Sequence, residues 1–212
     1  IASVINERKS DLIINSKIGD FIYEGLHIAD FCVPKGSDLS KEEIDEILEG
    51  ISKGFIYSNT INDQDDYHHE IRNLVEICLR AISPGINDPN TAIICIRKIS
   101  MLLSESLANY HEVKIIETKE DSRIIYKLYD IKEELYFTFY QIIFYGKSDP
   151  IISKTLLEGL YLIYFNSNET VKNVVSEFYD YTYETCFDAM ETELDKEQLA
   201  VLCNDFKLIC QN

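Results

Sequence analysis

Residues Arg72 to Ile99 read RNLVEICLRAISPGINDPNTAIICIRKI, and this stretch decides the architecture. Ile71, Leu74, Val75, Cys78 and Ile82 recur at helical spacing and predict a helix from about Tyr67 to Ile82. Arg72, Glu76 and Arg80 follow one another at i, i+4 intervals on a different face, so Glu76 can pair with either arginine. A second helix begins with Asp88 as N-cap and Pro89 in the first helical position, where a missing N–H costs nothing. Its opening, Ala92-Ile93-Ile94-Cys95-Ile96, is apolar almost all round, which predicts the hub of the core. Between the helices lies a short corner, Ser83-Pro84-Gly85-Ile86-Asn87, made of turn-forming residues.

Working outward towards the start, Asp11–Asn15 and Leu26–Phe31 read as strands, with Gly19 and Gly25 placed for tight turns. The pattern Gly19-Asp20-Phe21…Gly25 is similar to the hairpins of barrel-sandwich modules of the biotinyl or lipoyl type. The chain lacks their modifiable lysine between methionines. Ser40 and Glu43 form a capping box for a helix whose apolar stripe is Ile44, Ile47, Leu48 and Ile51, with Gly54 at its stop.

Towards the end, Val113–Thr118 and Arg123–Leu128 flank Lys119-Glu120-Asp121-Ser122 as a β-hairpin. Asp130 with Glu133 caps a helix reaching Tyr145 and Gly146, in which Tyr136, Phe137, Tyr140 and Phe144 have the spacing of core packing. Asp149-Pro150 repeats the Asp-Pro helix start, opening a helix to about Phe165. A further helix runs to about Met190, and Asp195 with Gln198 caps the last one. The expected fold is α+β: a small β-rich, barrel-sandwich-like module over 1–36, then a mostly helical domain over 37–212 that carries the hairpin near 113–128.

The 212 residues include 37 acids and 20 bases, a formal charge of −17. That charge repels phosphate backbones and argues against a nucleic-acid partner. Six cysteines occur without a CxxC, two of them (Cys78, Cys95) in apolar helical stretches. This suggests reduced thiols and a cytoplasmic location rather than a disulfide scaffold. No apolar run approaches the ~18 residues of a membrane span. A chain opening IASVINERKS is expected to be a piece of something longer.

The block Arg72-x-Leu74-Val75-x-Ile77-x-x-Arg80-Ala81-Ile82-Ser83-Pro84-Gly85-Ile86-Asn87-Asp88-Pro89-x-Thr91-Ala92 resembles the signature of a bacterial family of predicted membrane proteins, domain of unknown function 2254. Gly19-Asp20-Phe21, Gln141-Ile142, Tyr145-Gly146 and Asp149-Pro150 look like the same family. The resemblance implies a soluble C-terminal part whose partners are its own N-terminal membrane helices, and it brings no reaction. Where the family tends to have Phe-Gly before the first helix, this chain has His69-Glu70, so no role of that glycine carries over.

One candidate site emerges. The corner offers N–H groups at a helix N-terminus, with Ser83, Gly85, Asn87, Asp88 and Thr91 around it and Arg72 and Arg80 on the preceding helix. Such a set suits a carboxylate or phosphate. Against this stands the reading that Ser83, Asn87 and Asp88 only cap helix ends while the arginines pair with acids. No catalytic residue, metal cluster or cofactor motif is found: His68-His69 point about 100° apart on a helix and seldom share one ion. Two functions therefore compete. One is a non-enzymatic assembly or sensing domain, a homo-oligomer joined through the apolar second helix and the aromatic-rich later region. The other is a small-anion or nucleotide-binding, hydrolytic module at the corner.

Overall fold

The computed structural model describes residues 2, 5, 9–58, 67–118 and 121–210. They fall into two compact units, one made of Ile1–Asp66 with His111–Tyr129, the other of Tyr67–Tyr110 with Asp130–Asn212. The fold is α+β, as the alternation and helical periodicities require.

The first unit holds β1 (Asp11–Ile14), β2 (Ala29–Cys32), α1 (Lys41–Ser52), β3 (Val113–Glu117) and β4 (Arg123–Lys127). These strands form one mixed sheet in the order β2-β1-β4-β3, two antiparallel hairpins joined through a parallel β1–β4 pair into a single sheet. β1 pairs antiparallel with β2 (Leu12 opposite Phe31) and parallel with β4 (Leu12 opposite Ile124). The hairpin expected inside the helical domain therefore belongs to this sheet, and the capped helix α1 lies in the same unit. The physical reason is period-2 patterning: Leu12, Ile14 and Ile124 share one face and are buried with Ile47 and Ile51 of α1. Ile44 and Leu48 stay exposed, because only one side of the apolar stripe of α1 is covered.

Long-range pairs fix the sheet. Asp11 and Arg123 face each other in register and join through two guanidinium hydrogen bonds. Buried Ser122 accepts from the Ser10 N–H at 3.1 Å and donates to the Ile5 carbonyl at 3.0 Å. Gly19 and Gly25 take φ of 86° and 88°, the left-handed turns their positions suggested. Of the expected hairpin loop, Lys119 and Glu120 lie outside the described residues.

The second unit is helical: α2 (Tyr67–Ala81), α3 (Pro89–Leu107), α4 (Ile131–Gly146), α5 (Pro150–Asn166), α6 (Glu169–Ala189) and α7 (Glu193–Cys210). α3 is the hub as expected, packed chiefly on α5 and α2, although its Ile94 reaches solvent. It shares that role with α5, whose Ile152, Leu156, Leu157, Leu160 and Ile163 are all buried.

The two rods run parallel. Gly159 lies against Ser100, and Asn166 donates to the Ser104 hydroxyl at 2.9 Å. A Cβ on Gly159 would stand 2.2 Å from Ser100 Oγ, so any larger residue at this crossing would force Ser100 to shift. α7 starts one turn earlier than expected: Thr192, not Asp195, is its cap, with the Asp195 N–H donating to the Thr192 hydroxyl at 3.2 Å.

Candidate functional site

The corner is built from its own hydrogen bonds. α2 ends with the Ile82 N–H donating to Cys78 at 3.0 Å, and Ser83 Oγ donates back to the Arg80 carbonyl at 2.6 Å. Pro84 then occupies the second position of a turn closed by the Ile86 N–H on the Ser83 carbonyl at 3.1 Å. The Asn87 N–H reaches the same carbonyl at 2.9 Å, and the Asp88 N–H clamps back to Ala81 at 2.8 Å. The reversal falls on Asn87, at φ 48°, while a Cβ on Gly85 would meet nothing within 4 Å. Asn tolerates that left-handed conformation better than most side chains.

Asp88 caps α3 as its position suggested. One carboxylate oxygen accepts from the Thr91 N–H at 3.2 Å, the other from the Thr91 hydroxyl at 2.6 Å. These bonds from Thr91, side chain first, hold the Asp88 pKa below the usual carboxylate value. Arg80 lies 3.4 Å from Glu76 one turn back, both exposed. Arg72 is exposed eight residues before Arg80, about 12 Å along the axis at 1.5 Å per residue. The structure thus brings Ser83, Asn87, Asp88 and Thr91 together and leaves the two arginines apart. Two hydroxyls of the set are engaged with neighbouring groups.

The second Asp-Pro start converges on this corner. Asp149 caps α5 through the Ile151 and Ile152 N–H groups at 2.8 and 3.0 Å. A small hollow of about 50 Å³ is lined by Ile82, Asn87, Pro89, Tyr145, Gly146 and Asp149, among others. Gly146 makes the closure possible, since a Cβ there would stand 2.6 Å from Ile152 Cγ2 and 3.8 Å from Ile82 Cδ1. The repeat of Asp-Pro was the sequence signal for this pairing, but the glycine that permits it was not. Near the other end of α4, His68 Nδ1 stands 3.1 Å from the buried Glu134 carboxylate. Among the described residues no group of three or more His, Cys, Asp or Glu could hold a metal ion.

α4 presents a second kind of surface. Its inner side is Ile131, Leu135, Phe139, Ile142 and Ile143, all buried. Tyr136, Phe137, Tyr140, Phe144 and Tyr145 face outward instead, from 36 % exposed at Tyr140 to 76 % at Phe137. This corrects the core role expected of Tyr136, Phe137, Tyr140 and Phe144 from their spacing. Large apolar side chains fall on both the inner and the outer side of Leu135–Gly146, so periodicity alone could not say which stripe turns inward. The rings form a ladder, with Tyr136 stacked on Tyr140 at 4.7 Å, Tyr140 at 6.2 Å from Phe144, and Phe144 edge-on to Tyr145 at 5.0 Å. Tyr181 of α6 extends it: burial first, then the phenols of Tyr136 and Tyr140, push its hydroxyl pKa up.

No described helix is long and apolar enough to cross a membrane. Comparison with curated proteins and with solved structures finds no match. A family model does match, over residues 1–161, which include the corner, the first two strands and the α4 ladder. On that match the chain belongs to the family of predicted membrane proteins known as DUF2254.

Proposed function

We propose that this chain is a non-enzymatic assembly domain of its membrane protein, and that the aromatic face of α4 is the surface through which it assembles. The carrying observation is that ladder: five large rings in contact with solvent on a helix whose residues Leu135–Gly146 include no charge. Contiguous apolar patches of this kind mark interaction surfaces. The anion-binding alternative is disfavoured by the corner's own bonding, because Asp88 already occupies the anion position at the start of α3 and takes up the Thr91 hydroxyl.

Phe137→Glu with Phe144→Glu should lower the assembly state of the protein solubilised in detergent from its own membrane, read by light scattering. Unchanged mass would sink the assembly reading. We also place the domain on the cytoplasmic side, supported by six free cysteines, of which Cys32 and Cys210 are exposed. In intact cells a membrane-impermeant maleimide should leave both unlabelled until the membrane is opened. Labelling before that would reverse the sidedness.

A further inference from the structure

Along the exposed side of α4, Glu133, Tyr136, Tyr140, Phe144 and Lys147 follow at intervals of three, four, four and three residues. The spacing is symmetric about Tyr140, with an acid at one end, a base at the other and rings between. Resting on the assembly reading above, we infer that the partner of this face is a second copy of the same chain, with the two α4 helices antiparallel about a two-fold axis at Tyr140.

An isologous contact needs a surface complementary to itself. Inverting this stripe about Tyr140 sets Glu133 level with Lys147 of the second copy, Tyr136 level with Phe144, and Tyr140 on itself. Lys147 already leans over the patch, its ammonium 5.8 Å from the centre of the Phe144 ring. Glu133 stands in the first turn of α4 and Lys147 at its C-cap, each where the helix dipole favours its charge. The opposed ends of an antiparallel pair therefore attract through backbone and side chains alike.

The area is sufficient. At about 200 Å² per aromatic side chain, the exposed parts of Tyr136, Phe137, Tyr140, Phe144 and Tyr181 come to roughly 500 Å² per copy. Two copies offer roughly 1,000 Å² from rings alone, which meets the ~1,000 Å² that separates specific interfaces from incidental contacts. Charge supplies a signature. Each copy carries −17, so two copies repel at long range, while the uncharged patch attracts at contact. Raising salt from about 0.1 M to about 1 M shortens the screening length from about 10 Å to about 3 Å. Self-pairing must therefore tighten with salt, whereas a basic partner would be released by it.

Sedimentation equilibrium of the chain at low and high NaCl tests this. Dimerisation that strengthens with salt and disappears in Phe137→Glu is expected; Phe137 is exposed, so the variant keeps its fold, checked by circular dichroism. Glu133→Lys should weaken the dimer about fivefold, and Glu133→Lys with Lys147→Glu should restore it, which only the antiparallel register predicts. Absence of that rescue overturns the register. A chain that stays monomeric at both salts, while Phe137→Glu with Phe144→Glu still disrupts the protein in its own membrane, overturns self-pairing and leaves the assembly reading intact. A dimer indifferent to Phe137→Glu overturns both.

Discussion

The Ser83–Asp88 corner and the outer face of α4 lie in the same helical unit and satisfy opposite demands. The corner is polar, and its carbonyls, N–H groups and hydroxyls bond one another within eight residues. The α4 face is apolar and meets water along five rings. A distinctive, polar sequence motif can thus bond largely within itself, while an undistinguished run of aromatics is what stays open to solvent. Water hydrogen-bonds to a polar group at little net loss, but apolar surface in water retains its full driving force for burial.

The contrast is broken or sharpened most strongly within α4. Phe139 is fully buried, so Phe139→Ala should cost about 3–5 kcal/mol. Phe137→Ala, two residues earlier on the exposed side, should change stability by less than about 0.5 kcal/mol. Urea denaturation of both variants checks the pair, and equal losses would mean that the two faces of α4 are wrongly assigned.

Next comes the joint itself. Gly146→Ala pushes a methyl against Cγ2 of the buried, β-branched Ile152, which has little rotamer freedom to yield. A loss of about 1–3 kcal/mol is expected, visible as a lowered melting temperature. Ile152→Ala in the same chain should remove the clash and make the glycine substitution cheaper than it is alone. Additive losses would place the strain elsewhere.

The smallest effect concerns acid. The Asp88 pKa is lowered in the folded chain, so between its folded and unfolded values the unfolded state binds a proton that the folded state does not. The stabilisation from this group is complete above the ordinary aspartate pKa of about 4 and is lost as pH falls through the lowered one. Asp88→Asn should therefore flatten the acid limb of melting temperature against pH in the helical unit. Asp11, Asp30 and Glu49, also lowered, all lie in the other unit. An unchanged limb would show that the Thr91 bonds form equally well to a neutral side chain.

What the sequence revealed, and what it hid, follows from the range of each interaction. Caps act over two or three residues, so Ser40 with Glu43, Asp88, Asp130 and Asp149 were legible and hold as read. The corner's internal bonding was half legible, since Asp88 was read as a cap while the bond of Ser83 back to Arg80 was not foreseen. The hairpin's membership in the sheet was not, because β4 meets β1 across more than a hundred residues and alternation names no partner. Nor was the parallel contact of α3 with α5, which depends on Gly159 meeting Ser100. α4 hid its outer face because aromatic and aliphatic residues fall on both sides of Leu135–Gly146, which blurs the difference between inside and outside.

The sheet's order also bears on how the protein comes into being. β1 takes β4 as its parallel neighbour, and Ser10 hangs from Ser122. A nascent chain cannot finish its first unit until it has emitted the forty-odd residues of α2 and α3 that interrupt it. Such deferred pairing slows folding and leaves β1 and β2 waiting with an open edge on the ribosome. A fragment cut after residue 66 would keep that edge permanently, and the α2–α3 hairpin is thus an insertion that the smaller unit must outlast.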